Sequence, residues 1–287
     1  MLRNFMLTLA YDGGDFHGWQ LQPELRTVQS CLEQAVRRLV RHQVSVIGCS
    51  RTDAGVHALG YVANFFTPTP IPSTGIQRGV GSRLPKDMTL IRAEEVPLTF
   101  HATRSAVSKL YRYRVHNVRG RPVETLSHRY TYHLWQPLNL DAMRAAAEHL
   151  IGTHDFTSFA SPGNVRETNV RTIHRFDIQR HGEEVRFDVE GDGFLYKQVR
   201  NMVGSLIEVG RGLWQPERVK SDLDACDRQR VGGPTAPGRG LCLQWVRYDL
   251  PGLPEPGPEL LERARNAQPP CGATLTPGES EIEEPEA

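Results

Sequence analysis

The first half of the chain combines strand-like alternation with one helical stripe. Residues 5–11 alternate between apolar and other side chains with the period of a strand, and the pattern stops at the turn-forming Asp12. Behind Thr27, a candidate N-cap, apolar residues recur at helical spacing over 28–39. The remaining predictions for this half are strands at 44–47, 61–66 and 88–96 and a weak helix at 75–84.

The second half repeats this general order. An alanine-rich helix at 140–150 can begin after Asn139 or Asp141, and His181-Gly182 separates two alternating runs that predict a hairpin. The predicted elements are strands at 110–115, 173–179, 185–190 and 241–248 and a further helix at 196–209. We therefore expect an α+β fold with two halves, 1–104 and 105–250, each an antiparallel sheet with helices on one face.

The last part of the chain differs in composition from the rest. Residues 251–287 are rich in Pro and Gly, lack apolar periodicity and carry eight acids against two arginines. The whole chain has a net charge of +1, so residues 1–250 carry +7. We expect a disordered acidic tail and a basic body, and a basic body suits a polyanionic partner.

Composition and cysteine usage favour a cytoplasmic protein. No apolar run approaches the roughly 20 residues that cross a bilayer, and the start lacks the pattern of a secretion signal. The five cysteines lie far apart without the spacing of a zinc site, so we expect reduced thiols and no metal.

One short segment between two predicted strands holds the strongest chemical signal. Residues 48–57 read GCSRTDAGVH, which places Arg51 two positions before Asp53 and a flexible Gly55 two positions after it. A guanidinium nearby favours the ionised form of a carboxylate, so Asp53 is a candidate catalytic anion oriented by Arg51. For an arbitrary Arg-x-Asp, a surface pair at a turn is the more common structure.

A resemblance to a known family favours the catalytic interpretation of Asp53 over a surface ion pair. Residues 51–58, RTDAGVHA, resemble the signature of the tRNA pseudouridine synthase A family, in which the matching aspartate is the essential catalytic residue. Further segments similar to that family follow in its order along the chain: YDG at 11–13, GWQ at 18–20, KLYRY at 109–113, DFTSF at 155–159, FLY at 194–196, VRNMVG at 199–204, AP at 236–237 and GL at 240–241.

The resemblance implies an isomerase that converts uridine to pseudouridine in the anticodon stem-loop of tRNA, at nucleotides 38, 39 and 40. It implies two ferredoxin-like or RNA-recognition-motif-like subdomains whose sheets join around a central cleft. It also implies a homodimer with the tRNA lying across both protomers. The reaction needs no redox step and no external energy, so no cofactor is expected.

The resemblance also assigns candidate site residues beside Asp53. Tyr111 matches the tyrosine that packs on the bound base, and Tyr113 lies two residues later on the same strand face, where it can support Tyr111. Arg200 matches an arginine in the active-site cleft that can pair with the carboxylate or a phosphate, and Lys197 can extend the basic surface. Without Asp53, half-buried strand tyrosines and an exposed helical arginine would be the simpler interpretations.

Two other functional classes stay open from the residues alone. A non-catalytic RNA-binding protein would use the charge and the aromatic residues but not Asp53, and a nucleoside hydrolase would use Asp53 to release free uracil. The sequence does not distinguish attack on the base, attack on the sugar and proton abstraction from the sugar. His57 is expected to be structural, since one His and one Asp do not form a metal site.

Overall fold

Strands from both halves of the chain belong to one sheet. The computed structural model describes residues 1–120, 126–162, 168–229 and 233–249, and within these it has ten strands and five α-helices. The strands are β1 Arg3–Tyr11, β2 Ile47–Gly48, β3 His57–Thr67, β4 Met88–Val96, β5 Ala106–Asn117, β6 Tyr132–Leu134, β7 Gly152–Asp155, β8 Val170–His181, β9 Glu184–Gly191 and β10 Leu241–Tyr248. The helices are α1 Val28–Val40, α2 Ser73–Gly81, α3 Leu140–Glu148, α4 Gln198–Gly210 and α5 Glu217–Asp224.

The last strand joins the two halves of the sheet. The strand order is β4-β1-β3-β10-β5-β9-β8-β7, with β2 on β3 and β6 on β5. β10 runs parallel to β3, where Cys242 lies opposite His57, and antiparallel to β5, where Leu243 lies opposite Tyr111. The other pairings are antiparallel except β5 with β6. The predicted α+β class with mainly antiparallel pairing is therefore confirmed.

Side-chain caps fix the start of two predicted helices. Thr27 accepts a hydrogen bond from the Ser30 N–H at 3.2 Å, and Ser30 Oγ accepts one from the Thr27 N–H at 3.2 Å, which forms a capping box on α1. The Asn139 side chain accepts from two backbone N–H groups at the start of α3. Both caps satisfy donors that the helix itself leaves unpaired, as the sequence predicted.

Short elements account for most differences from the sequence-based expectation. Residues 44–46 are not a strand, since only Ile47–Gly48 pairs with β3, and α4 begins at Gln198 rather than at 196. β6, β7 and α5 were not predicted, because three to eight residues carry too few periods to stand out. The acidic tail at 251–287 lies outside the described residues.

Each half of the sheet packs on its own helices. Phe5 of β1 stacks on Phe65 of β3 with ring centroids 5.7 Å apart, and α2 packs on both β4 and α1. In the second half, α3 packs on α4 and β8, while Tyr113 meets Phe187 edge to face. Within the described part of the chain, no helix is long and apolar enough to span a membrane.

Candidate active site

Asp53 lies in the loop between β2 and β3, and buried neighbours hold this loop on both sides. The Trp19 N–H donates to the Thr52 carbonyl at 3.0 Å, and the hydroxyls of Tyr11 and Thr52 are 2.9 Å apart. Gly55 has φ of +75°, a left-handed conformation that favours glycine and lets the chain turn into β3. The loop therefore presents Asp53 from a fixed backbone.

The guanidinium that contacts Asp53 comes from the other half of the chain. Arg200 Nη1 donates to Asp53 Oδ2 at 2.6 Å across a sequence separation of 147 residues. Arg200 Nε donates to the Ala236 carbonyl at 2.7 Å, so one planar side chain bridges the carboxylate and the backbone. The two side chains of the pair are only 13% and 14% exposed, which strengthens their attraction relative to a surface pair.

A segment before β10 holds Arg200 in place. The Ala236 N–H donates to the Arg200 carbonyl at 3.1 Å, so the two residues contact each other through backbone and side chain. A Cβ on Gly204 would lie 1.8 Å from the Pro234 carbonyl oxygen, which shows how closely α4 and this segment approach. The Tyr113 hydroxyl donates to the Pro237 carbonyl at 2.8 Å and ties the segment to β5.

Tyr111 of β5 forms part of the wall beside Asp53. Its ring is 6% exposed and meets Phe194 edge to face at 5.2 Å between centroids, and its hydroxyl lies 3.2 Å from Ser50 Oγ. Burial raises the pKa of the Tyr111 phenol well above its ordinary value, so the group is protonated at neutral pH. Ser50 is not among the predicted site residues, because its contact with Tyr111 forms only when β5 and the loop meet.

Asp53, Arg200 and Tyr111 line one cleft with a volume of about 1030 Å³. Arg51, Lys109, Lys197 and Arg200 line it, and Asp53 is the one acidic side chain among the described residues that do so. An excess of cations in a cleft raises the local concentration of a polyanion such as RNA.

The other predicted site residues take different positions. Arg51 lines the cleft but is exposed, and within the described part of the chain it makes no hydrogen bond or ion pair with Asp53. The expected Arg51–Asp53 pairing is thus corrected, since β3 and α4 bring Arg200 to the carboxylate instead. Tyr113 is fully buried and does not line the cleft. Lys197, at the start of α4, does line it.

His57 lies behind the loop, away from the cleft. It is 5% exposed, and its Nδ1 is 3.0 Å from the Gly13 N and 3.1 Å from Asp12 Oδ1. The neutral ring with an unprotonated Nδ1 accepts from Gly13, whereas an Nδ1 proton would be donated to Asp12. The described residues contain no group of three or more His, Cys, Asp and Glu side chains that could hold a metal ion.

Comparison with known proteins identifies the class. A family model described as tRNA pseudouridine synthase matches residues 8–104 and 146–249. The chain is 41% identical over 247 residues to tRNA pseudouridine synthase A 2 of Clostridium perfringens, covering 86% of this chain and 100% of that protein. It is 42% identical over 247 residues to tRNA pseudouridine synthase A of Acetivibrio thermocellus, with the same coverage.

A solved structure gives a much weaker similarity. A chain of the archaeal box H/ACA sRNP Nop10-Cbf5 complex matches with a TM-score of 0.32 and 11% identity, covering 84% of this chain and 46% of that chain. The sequence similarities are decisive: the chain belongs to the tRNA pseudouridine synthase family. It is an isomerase that converts uridine in tRNA to pseudouridine.

Proposed function

We propose that Asp53 is the catalytic carboxylate of this isomerisation and that the substrate uridines lie in the anticodon stem-loop of tRNA. The observation that carries the proposal is the partly buried Asp53–Arg200 ion pair inside the basic cleft. A charge held in this way, beside a tyrosine wall and open to a polyanion, is typical of a site built for chemistry rather than of a surface ion pair.

The reaction breaks the glycosidic C–N bond, turns the uracil and rejoins it through C5. Arg200 donates a hydrogen bond to Oδ2 of Asp53, and among the described residues no group donates a hydrogen bond to Oδ1. Oδ1 is therefore the oxygen available to the substrate. Attack on the base, attack on the sugar and proton abstraction from the sugar all fit this oxygen, and in each case the cleft has to retain the detached base.

The remaining residues bind and position the nucleotide. The uridine leaves its helical stack to reach the cleft, and the Tyr111 ring, fixed by Phe194, provides an aromatic surface for its base. Because the Tyr111 phenol is protonated, it can donate a hydrogen bond. Arg51 and Lys197 contact phosphates from the cleft, and Tyr113 supports the site through Pro237.

The decisive experiment compares Asp53→Asn with a matched surface variant. Asp141 forms an ion pair with Arg144 at 2.7 Å, but its side chain is 92% exposed and lies outside the cleft. Asp53→Asn should lower the single-turnover rate of pseudouridine formation by a factor on the order of 10³ or more while tRNA still binds. Asp141→Asn should retain the wild-type rate. Wild-type product from Asp53→Asn would refute the assignment.

The same assay separates the other functional classes. A non-catalytic RNA-binding protein would form no pseudouridine in any variant, and a nucleoside hydrolase would release free uracil. We expect uracil to stay in the tRNA, with pseudouridine mapped to the anticodon stem-loop. Pseudouridine confined to other parts of the tRNA would contradict the proposed substrate site.

The family resemblance also implies a domain organisation and an oligomeric state. We propose two ferredoxin-like subdomains, 1–104 and 105–250, in a cytoplasmic homodimer that binds tRNA across both protomers. Support comes from the sheet, where β4, β1 and β3 come from the first part and β5, β9, β8 and β7 from the second. Analytical ultracentrifugation at micromolar concentration should give the mass of a dimer, and a monomer mass would contradict this proposal.

A further inference from the structure

An exposed tyrosine lies in the cleft beyond Tyr111. The ring of Tyr196 is 43% exposed, and the Lys197 ammonium lies 4.8 Å from its centroid. Both residues line the same cleft as Asp53. An exposed aromatic ring inside a substrate cleft is available to pack against a bound ligand.

The backbone around Tyr196 is fixed by several hydrogen bonds. The Leu195 N–H donates to Gln198 Oε1 at 2.8 Å, and the Gln198 N–H donates to the Leu195 carbonyl at 3.1 Å. The Tyr196 carbonyl accepts from the Ser161 N–H at 3.0 Å. These bonds hold the turn as a preformed surface, so little conformational entropy is lost when RNA binds.

Lys197 adopts an uncommon conformation in this turn. Its φ is 59°, in the left-handed region that non-glycine residues rarely occupy, and it carries no side-chain cap for α4. Such backbone strain is retained mainly where function requires a particular side-chain direction. Here it brings the Lys197 ammonium over the Tyr196 ring within the cleft.

The same segment connects this ring to the catalytic pair. Phe194 supports Tyr111, Tyr196 follows two residues later, and Arg200 reaches Asp53 from the first turn of α4. Tyr111 is 6% exposed and can serve one everted base, whereas Tyr196 is far more accessible. The cleft thus holds two aromatic surfaces of different accessibility.

We propose that Tyr196 stacks on the base of a nucleotide adjacent to the target uridine, with Lys197 contacting the phosphate between them. This inference rests on the proposed function and names a second contact for the same substrate. Removing the target base from its stack leaves a neighbouring base with an uncovered face, and an aromatic side chain can cover it for any base identity. The contact fixes the strand next to Asp53.

A first experiment measures the steady-state kinetics of tRNA modification with Tyr196→Ala. Stacking on an aromatic side chain predicts that kcat/KM falls by roughly tenfold or more, mainly through KM, whereas Tyr196→Phe and Tyr196→Trp retain it. Trp135 is the matched control, because it is 60% exposed and does not line the cleft. Trp135→Ala should change kcat/KM by less than twofold, and the same small change for Tyr196→Ala would overturn the proposal.

A second experiment asks whether the ring contacts a neighbouring base. Anticodon stem-loop RNAs with an abasic site at the 5′ or the 3′ neighbour of the target are tested against wild type and Tyr196→Ala. One abasic site should weaken binding by wild type, and it should cause no further loss with Tyr196→Ala, because both changes remove the same contact. Equal additional losses with both proteins at both positions would overturn the proposal.

The salt dependence of tRNA binding distinguishes the contribution of the Tyr196 ring from that of the Lys197 charge. Lys197→Ala should reduce the slope of log K against log salt by about one, whereas Tyr196→Ala should weaken binding at every salt concentration with the slope unchanged. A reduced slope for Tyr196→Ala would show that the ring acts only through Lys197 and would overturn stacking. Failure of the proposed function is distinct, since Asp53→Asn would then form product at the wild-type rate, or pseudouridine would map outside the anticodon stem-loop, whatever the effect of Tyr196→Ala.

Discussion

At the scale of single residues, distance along the chain is a poor guide to which charges meet. Arg51 is two positions from Asp53 yet remains exposed, while Arg200 lies 147 positions away and donates to Oδ2 at 2.6 Å. Arg200 also binds the Ala236 carbonyl, so its guanidinium cannot turn away without losing a second hydrogen bond. The catalytic proposal depends on this bridging geometry as well as on the charge.

Substitution of Arg200 tests the bridge. Arg200→Met should lower the single-turnover rate about 100-fold, since an oriented donor to a reacting group typically contributes this much. Arg200→Lys keeps the charge but lacks the planar fork that reaches Ala236 and Asp53 together, so we expect a smaller loss of roughly tenfold. Rates are measured with saturating enzyme, which separates chemistry from binding.

Arg144 provides the control for these variants. It also bridges a carboxylate and a backbone carbonyl, donating to Asp141 at 2.7 Å and to the Ile178 carbonyl at 2.9 Å, but it lies on the surface. Arg144→Met should leave the rate within twofold of wild type. An equally small effect of Arg200→Met would show that the bridge is not needed for catalysis.

At the scale of elements, α4 organises the site. Its first turn carries Arg200, the turn before it carries Tyr196, and Gly204 lets the 233–237 segment approach the helix. The sequence predicted this helix from its apolar positions. The contact between the helix and the segment could not be read from periodicity, because glycine leaves no hydrophobic signal.

Gly204→Ala should loosen this contact. A Cβ at 1.8 Å from the Pro234 oxygen forces the segment to shift, so the free energy of unfolding should fall by roughly 1–3 kcal/mol. Activity should fall as well, because the displaced Ala236 carbonyl no longer holds Arg200. Urea-induced unfolding and the pseudouridine assay measure the two effects.

The matched control is Gly81→Ala at the end of α2. A Cβ there meets nothing within 4 Å, so the substitution should be neutral or stabilise the protein by up to about 1 kcal/mol. If Gly204→Ala matched Gly81→Ala in stability and activity, the close approach of Pro234 would have no consequence.

At the scale of the whole molecule, strand β10 and a polar cluster are two of the connections that join the halves. β10 pairs with β3 and with β5, and it thereby places Tyr111 beside the Asp53 loop. A polar cluster makes the second connection, since Arg129 Nε donates to Asp12 Oδ2 at 2.6 Å and the Tyr130 hydroxyl donates to the same oxygen at 2.9 Å. Asp12 also faces His57, which directly follows the Asp53 loop.

This cluster should make stability depend on pH. Burial by itself raises the pKa of Asp12, but hydrogen bonds from His57, Gly14, Tyr130 and Arg129 outweigh it and bring the pKa well below its ordinary value. A carboxylate with a lowered pKa in the folded state stabilises that state at pH values above its unfolded pKa of about 4. The contribution is lost as the pH falls through the folded value.

Asp12→Asn measures that contribution. At pH 7 the variant should be less stable than wild type by roughly 1–3 kcal/mol in urea-induced unfolding. The difference should stay constant down to about pH 5 and shrink below about pH 4, where Asp12 takes up a proton in the unfolded state but not yet in the folded state. Asp141→Asn, on an exposed carboxylate, should show little difference at any pH. If the difference in free energy of unfolding between wild type and Asp12→Asn were still unchanged at pH 3, the negative charge of Asp12 would not be what stabilises the fold.

The sequence by itself determined the long elements, the family and the candidate carboxylate. Strands such as β1 and β10 and the capped helices α1 and α3 follow from periodicity and from local caps, which act over a few residues. The resemblance offered Arg200 as a partner of the carboxylate or of a phosphate, and only the tertiary structure decided that Arg200 rather than Arg51 meets Asp53. It alone also decided that Tyr113 is buried and that β10 lies between β3 and β5. The reason is physical: contacts across more than a hundred residues depend on how strands order in the sheet, and local patterns do not encode that order.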